Sequence, residues 1–120
     1  MLPQCDVVVS LVPATEQSRG MFGEELFRSF RPGSYFISMG RGSAVDEDAL
    51  ISALKDGTLA GAALDVFEEE PLSADSPLWD MDNVIVTPHS SALSPFNMER
   101  AMDTFCGNIK RFVKGDSLVG

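Results

Sequence analysis

Residues 34 to 67, "SYFISMGRGSAVDEDALISALKDGTLAGAALDVF", decide the fold. The stretch opens on an apolar, aromatic run, Ser34 to Met39, that stops at Gly40, and it closes on a second apolar run, Leu59 to Phe67. Between them the period changes. Asp46 to Gly57 has acids in its first turn, Leu50 and Leu54 four apart, Lys55 near its end and a glycine stop, which predicts a helix. Strand, helix and strand at this spacing form the unit that builds a parallel sheet, with a right-handed crossover.

The same texture extends in both directions. Asp6 to Val12, closed by Pro13, and Asn83 to Thr87 read as further strands, and Gly23 to Phe30 as a short helix with apolar residues at 26, 27 and 30. The continuous apolar runs predict strands buried on both faces. From Pro95 to Lys114, Met98, Met102, Phe105, Ile109 and Phe112 fall on one stripe, which predicts a long helix packing that face into the core. The fold class is therefore α/β, about four parallel strands with flanking helices.

Composition narrows the function. At 120 residues and 44% hydrophobic, the chain suits one globular core. Nine basic against 18 acidic residues give a net charge of −9, which repels a phosphate backbone and argues against nucleic-acid binding. No run approaches the ~20 apolar residues of a membrane span, and the first ten residues lack the pattern of a secretory signal, so the expected location is the cytoplasm, with no membrane partner. Cys5 and Cys106 are far apart in apolar or helical surroundings and are expected to be reduced core thiols.

In open parallel sheets the reactive groups gather at the carboxyl ends of the strands. Those ends carry Pro13-Ala-Thr15, Gly40-Arg41-Gly42, Asp65 with Glu68 to Glu70, and Pro88-His89-Ser90, the last holding the only histidine. Alone, a histidine is more often structural, an arginine a surface ion pair, and a run of acids a solvated loop. Together they can converge on one crevice. An arginine between glycines gains backbone freedom on both sides and can fork onto a carboxylate or polarise a carbonyl. Imidazole exchanges a proton near neutrality, and a neighbouring carboxylate would orient the ring and favour its charged form. A metal site lacks ligands with one histidine, so none is expected.

"MGRGSAVDEDALISALKDGTLAGAALDVFEEEPL" followed by "SPLWDMDNVIVTPH" closely resembles the cofactor domain of the D-isomer-specific 2-hydroxyacid dehydrogenases, which include glyoxylate and hydroxypyruvate reductases and phosphoglycerate dehydrogenase. The resemblance covers nearly the whole chain, with its motifs in the family's order. It implies an oxidoreductase moving a hydride between NAD or NADP and a small 2-hydroxyacid or 2-oxoacid. By the same resemblance Arg41 binds substrate, His89 gives or takes the proton, and Glu70, directly before Pro71, is the histidine's partner, leaving Glu68 and Glu69 solvated. Asp65 would meet the nicotinamide carboxamide, Met39 and Gly40 would line that ring beside Arg41 and His89, and Pro13, Thr15 and Ser91 would complete the cofactor contacts. "SSALSP" after the histidine departs from the family's glycine-containing stretch.

A larger departure is that no G-x-G-x-x-G follows a strand in these 120 residues. The resemblance then makes residues 1–120 the second half of a doubly wound, Rossmann-type domain that carries the catalytic residues. The glycine-rich half and the substrate domain would lie outside it, a fragment or truncated product of a family whose intact members are expected to be homodimers. Two other readings stay open: a nucleotide-sensing, corepressor-like interaction protein of the same fold, and an inactive folding fragment.

Overall fold

The computed structural model describes residues 1–119. Four parallel strands, β1 (Val7–Ser10), β2 (Ser34–Ser38), β3 (Leu59–Leu64) and β4 (Val84–Val86), lie side by side in chain order, with β1 at one edge and β4 at the other. Helix α1 (Glu24–Arg28) joins β1 to β2, and α2 (Glu47–Lys55) joins β2 to β3. Helix α3 (Asn97–Lys114) follows β4. The α/β class read from the sequence is the observed one, with each strand shorter than its apolar run.

Local chemistry sets the α2 boundaries. The Asp46 carboxylate accepts a hydrogen bond from the Ala49 N–H at 3.0 Å, filling one of the donors left open in a first helical turn. Glu47 and Asp48 follow it at the positive end of the helix dipole, and Lys55 sits at the negative end. Gly57, with φ of 81°, makes the left-handed turn into β3. Leu50, Ala53 and Leu54 of α2 are buried, as are Phe27 of α1 and Phe36 of β2. Phe22, Phe27, Phe30 and Phe36 form an aromatic cluster, with tilted or edge-on rings whose centroids are 5.0 to 6.4 Å apart.

Three expectations about burial need correction. First, the sheet is covered on one face only. Phe36, Ala62 and Leu64 face α1 and α2, whereas Val7, Val9, Tyr35 and Ile85, on the opposite face, are exposed. The cause is topological: α1 and α2 pack on each other and so lie on one side. Second, α3 has no buried residue, so its stripe is not core. It extends outward after the 88–96 segment, and the radius of gyration is 18.2 Å, against about 14 Å for a compact chain of this length. Third, Cys106 rides on α3 and is exposed, while Cys5 is half-buried; neither is a core thiol, though both are free.

The glycines flanking Arg41 also differ in role from the sequence reading. Arg41 has ordinary extended dihedrals, φ −137° and ψ 135°, so backbone freedom is not what it uses. A Cβ on Gly40 would lie 2.5 Å from the Val12 carbonyl oxygen, and one on Gly42 would lie 1.8 Å from the Phe67 carbonyl oxygen. Both glycines let the strand ends close up around Arg41. Gly42→Ala is therefore expected to destabilise the fold by about 3 kcal/mol or more, because backbone must move to admit the methyl group. Gly107→Ala, in open space on α3, should leave the urea midpoint unchanged or raise it. Equal midpoints for the two variants in urea unfolding would contradict this packing.

Candidate active site

β2, β3 and β4 end at one rim, and each contributes a side chain there. From β2 comes Arg41, exposed, whose Nη1 donates to the carbonyl of Gly40 at 2.8 Å. From the segment after β3 comes Glu70, and from the turn after β4 comes His89, with Nδ1 of His89 2.7 Å from Oε2 of Glu70. The other carboxylate oxygen of Glu70 accepts the N–H of Phe67 at 3.1 Å, which fixes the carboxylate before it reaches the ring. Of the three consecutive glutamates, only Glu70 touches the histidine. Glu68 and Glu69 are exposed, and the N–H of Glu68 donates to Glu47 Oε1 at 2.7 Å, turning that part of the loop towards α2.

The electrostatics follow from these contacts. The hydrogen bond from His89, then that from Phe67, holds the Glu70 carboxyl below its ordinary value against the cost of desolvation, and the Arg41 charge acts in the same direction. Glu70 is therefore ionised near neutrality and accepts from the ring. A carboxylate on Nδ1 leaves Nε2 as the free position of the imidazole.

His89 stands in an unusual conformation, with φ of 49°, the one non-glycine residue at positive φ among the described residues. Such a backbone persists only where its surroundings hold it. Here the holder is Asp65, 3% exposed at the end of β3. One of its oxygens accepts the Thr87 hydroxyl and the Ser90 N–H, the latter at 2.8 Å, and the other accepts the Ser91 N–H, also at 2.8 Å. The turn carrying His89 is thus gripped on both sides of the histidine. Burial opposes the charge on Asp65, but the hydrogen bonds from Ser91, Thr87 and Ser90 outweigh it and hold the carboxyl far below the usual carboxylate range.

The remaining residues singled out in the sequence are placed as follows. Met39 and Asp65 line a shallow depression of about 260 Å³ with Ile37, Ala63 and Ser91, which has an almost wholly apolar floor. Gly40 is buried beneath the rim. Pro13 and Thr15 lie in the loop after β1, which is fastened by the buried Ser18: its hydroxyl donates to the Pro13 carbonyl at 2.6 Å and accepts the Thr15 N–H at 2.9 Å. The Ser91 N–H is committed to Asp65, so any further contact from Ser91 must use its other atoms.

Two features were not read from the sequence. Thr87 and Ser90 act as partners of Asp65; the hydroxyl of Thr87, two residues before the histidine, was the available signal. A cavity of about 410 Å³ beside the Glu70–His89 pair is lined by Phe67, Leu72, Trp79 and Val86, and Trp79 Nε1 donates to the Ser73 carbonyl at 2.9 Å. No local pattern announces it, since its walls come from separate loops. Among the described residues no group of three or more His, Cys, Asp or Glu side chains is placed to hold a metal ion, and no helix is long and apolar enough to cross a membrane.

The family model for the D-isomer specific 2-hydroxyacid dehydrogenase, NAD binding domain, matches residues 1–91. Glyoxylate/hydroxypyruvate reductase B of Shigella boydii is 48% identical over 89 residues, 74% of this chain and 28% of that protein. Among solved structures, a D-isomer specific 2-hydroxyacid dehydrogenase from Xanthobacter autotrophicus in complex with NADPH and MES superposes with a TM-score of 0.88 at 42% identity, covering 98% of this chain and 48% of that one. An NADPH-dependent glyoxylate/hydroxypyruvate reductase from Sinorhizobium meliloti in complex with NADP and sulfate gives 0.89 at 39% identity, covering 98% and 38%. The chain thus spans between about a quarter and a half of the length of these relatives.

The Asp65 clamp has a measurable consequence. Because the folded-state pKa values of Asp65 and Glu70 are depressed, their stabilisation is fully present above the ordinary carboxylate value of about 4 and is lost as pH falls through the folded values. Asp65→Asn turns an amide NH2 towards N–H donors, so it should cost about 1–3 kcal/mol at neutral pH. It should also flatten the acid limb of a plot of urea midpoint against pH. An unchanged midpoint and limb would show that the clamp does not hold the turn.

Proposed function

This chain belongs to the D-isomer specific 2-hydroxyacid dehydrogenases, as part of their NAD binding domain, and from that membership we propose that it carries the catalytic residues of a 2-hydroxyacid oxidoreductase. The observation that carries the reading is the contact of His89 Nδ1 with Glu70 at the rim where Arg41 also stands. Residues 1–120 then form the second half of a doubly wound dinucleotide domain, with the glycine-rich turn and substrate domain supplied by sequence beyond these residues.

The apolar depression between Met39 and Asp65 fits the nicotinamide end of NAD or NADP, a flat ring needing an apolar floor and a polar rim for its carboxamide. A carboxylate has about four acceptor positions and Asp65 uses three, which leaves capacity for that carboxamide. A nicotinamide held there would supply the hydride for the carbonyl carbon of a 2-oxoacid, or accept it in the reverse direction. His89 Nε2 gives its proton to the carbonyl oxygen as that oxygen gains charge, and Glu70, in contact with Nδ1, holds the ring in the orientation that turns Nε2 towards the substrate. Arg41 takes the substrate carboxylate with its planar fork, orienting the carbonyl for attack. Glyoxylate and hydroxypyruvate, the substrates in the names of the relatives, are small enough for such a site.

In a full-length relative numbered as here, His89→Ala should lower turnover by at least ~10², while changes at Glu68 and Glu69 should do little. A loss at Glu69→Ala equal to that at Glu70→Ala would overturn the assignment within the triple. Arg41→Lys should raise the KM for glyoxylate, since an ammonium lacks the two-pronged grip, and unchanged kinetics would return Arg41 to the surface. The 120-residue chain alone, without a pyrophosphate-binding turn, should bind NADH weakly and show no turnover; micromolar binding in calorimetric titration would contradict the division of labour proposed here.

A further inference from the structure

Of the three donors on Asp65, two are backbone N–H groups, which substitution does not remove, and the third is the hydroxyl of Thr87. Thr87 commits each of its polar groups to a different part of the site. Its N–H donates to the Leu64 carbonyl at 2.9 Å and keeps the end of β4 in register with β3. Its hydroxyl donates to Oδ1 of Asp65, and its carbonyl accepts the N–H of His89 at 3.1 Å, closing the turn over Pro88 onto the histidine that stands at φ 49°. Of the described residues, only Thr87 borders both hollows at the rim, the cavity beside Glu70 and His89 and the depression beside Asp65.

Resting on the reading of His89 as the proton donor, we propose that Thr87 is a positioning residue for the reaction: its hydroxyl, through Asp65, holds the His89 ring on Glu70 and so sets the rate of proton transfer, with no share in the grip on substrate or cofactor. The two oxygens of Asp65 divide the work. Oδ1 carries Thr87 and Ser90, which fills its two lone pairs, whereas Oδ2 carries Ser91 alone and keeps one free. A donor entering the depression therefore meets Oδ2, and the Thr87 hydroxyl serves the turn only. Without that hydroxyl, Oδ1 of a carboxylate that is 3% exposed has a single donor left, and the turn is free to relax from its left-handed residue towards the negative φ that a histidine ordinarily adopts. A ring carried along by that relaxation parts from a carboxylate oxygen 2.7 Å away, because a hydrogen bond weakens steeply with misalignment. Arg41 is placed separately, by the end of β2 and its two glycines.

Thr87→Val removes the hydroxyl and keeps the shape, and Thr87→Ser keeps the hydroxyl and removes the methyl group. Two measurements separate the hold on the ring from the reaction it serves. His89 is the only histidine of the chain, so isotopic labelling of histidine nitrogen gives one set of ring signals by NMR. Wild type and Thr87→Ser should show the tautomer protonated on Nδ1, and Thr87→Val should move the population towards protonation on Nε2, since the partner that fixes Nδ1–H is lost. In a full-length relative that carries Thr-Pro-His at this turn, numbered as here, kcat for glyoxylate reduction is read per NADPH-binding site counted by fluorescence titration, which removes any loss of folded enzyme. Thr87→Val should lower that kcat about 10- to 100-fold with both KM values within about twofold of wild type, and Thr87→Ser should restore it to within about threefold. If Thr87→Val binds no NADPH, Thr87→Ala, which sets no methyl against Asp65, takes its place with the same expected split. An unchanged kcat in an enzyme that His89→Ala disables, a raised KM for NADPH with kcat preserved, or a Thr87→Ser variant as slow as Thr87→Val would each overturn the proposal. Full turnover by His89→Ala, with the tautomer still shifted in Thr87→Val, would instead overturn the reading of His89 as the proton donor and leave its ring held by Thr87.

Discussion

One buried carboxylate ties the ends of two strands together. Asp65 sits at the last turn of the chain out of β3, and every donor it holds comes from the segment after β4: the Thr87 hydroxyl and the N–H groups of Ser90 and Ser91. A charged acceptor with three donors is worth burying only where the donors are preorganised, and here the same bonds do that organising. They also hold His89 at positive φ, which swings its ring towards Glu70. Position in the sheet, backbone conformation of the histidine and charge state of its partner therefore depend on a residue that does not touch the histidine's ring.

The other constraint is steric. Arg41 leaves the end of β2 with unremarkable dihedrals, yet it can stand at the rim only because its neighbours have no Cβ. Gly40 lets the end of β1 pass within contact of β2, and Gly42 lets the backbone at Phe67 do the same from the side of β3. The strand ends that bear Arg41 and Glu70 are drawn together by this missing volume, and the residual attraction between the two charges is a consequence of it.

Much of this was legible in the sequence. Period changes between apolar runs and the α2 pattern gave strand, helix and strand correctly, and Asp46 and Gly57 marked the helix ends. What failed shares one cause: the information was not local. A run such as Val7-Val8-Val9 looks the same whether one or both faces of a strand are covered, and only the placement of α1 and α2 on the same side decided it. The α3 stripe announced an apolar face but not what meets it. Gly40 and Gly42 suggested freedom, while the contacts that require them come from Val12 and Phe67, distant in sequence. Asp65 was picked out by its place at a strand end and by family resemblance, but of its three partners, more than twenty residues away, only the Thr87 hydroxyl beside the histidine left a local signal. The choice of Glu70 among three glutamates likewise came from resemblance and the adjoining proline, not from periodicity.

A sheet with helices on one face has a thermodynamic signature. Val7, Val9, Tyr35 and Ile85 are already in contact with water in the folded chain, as is the whole stripe of α3, so unfolding hydrates less new apolar surface than 120 residues ordinarily would. The heat-capacity increment of unfolding scales with that newly hydrated surface, as does the slope of free energy against denaturant. Both should therefore be small for this chain, giving a shallow stability curve with a broad thermal transition and little loss on cooling.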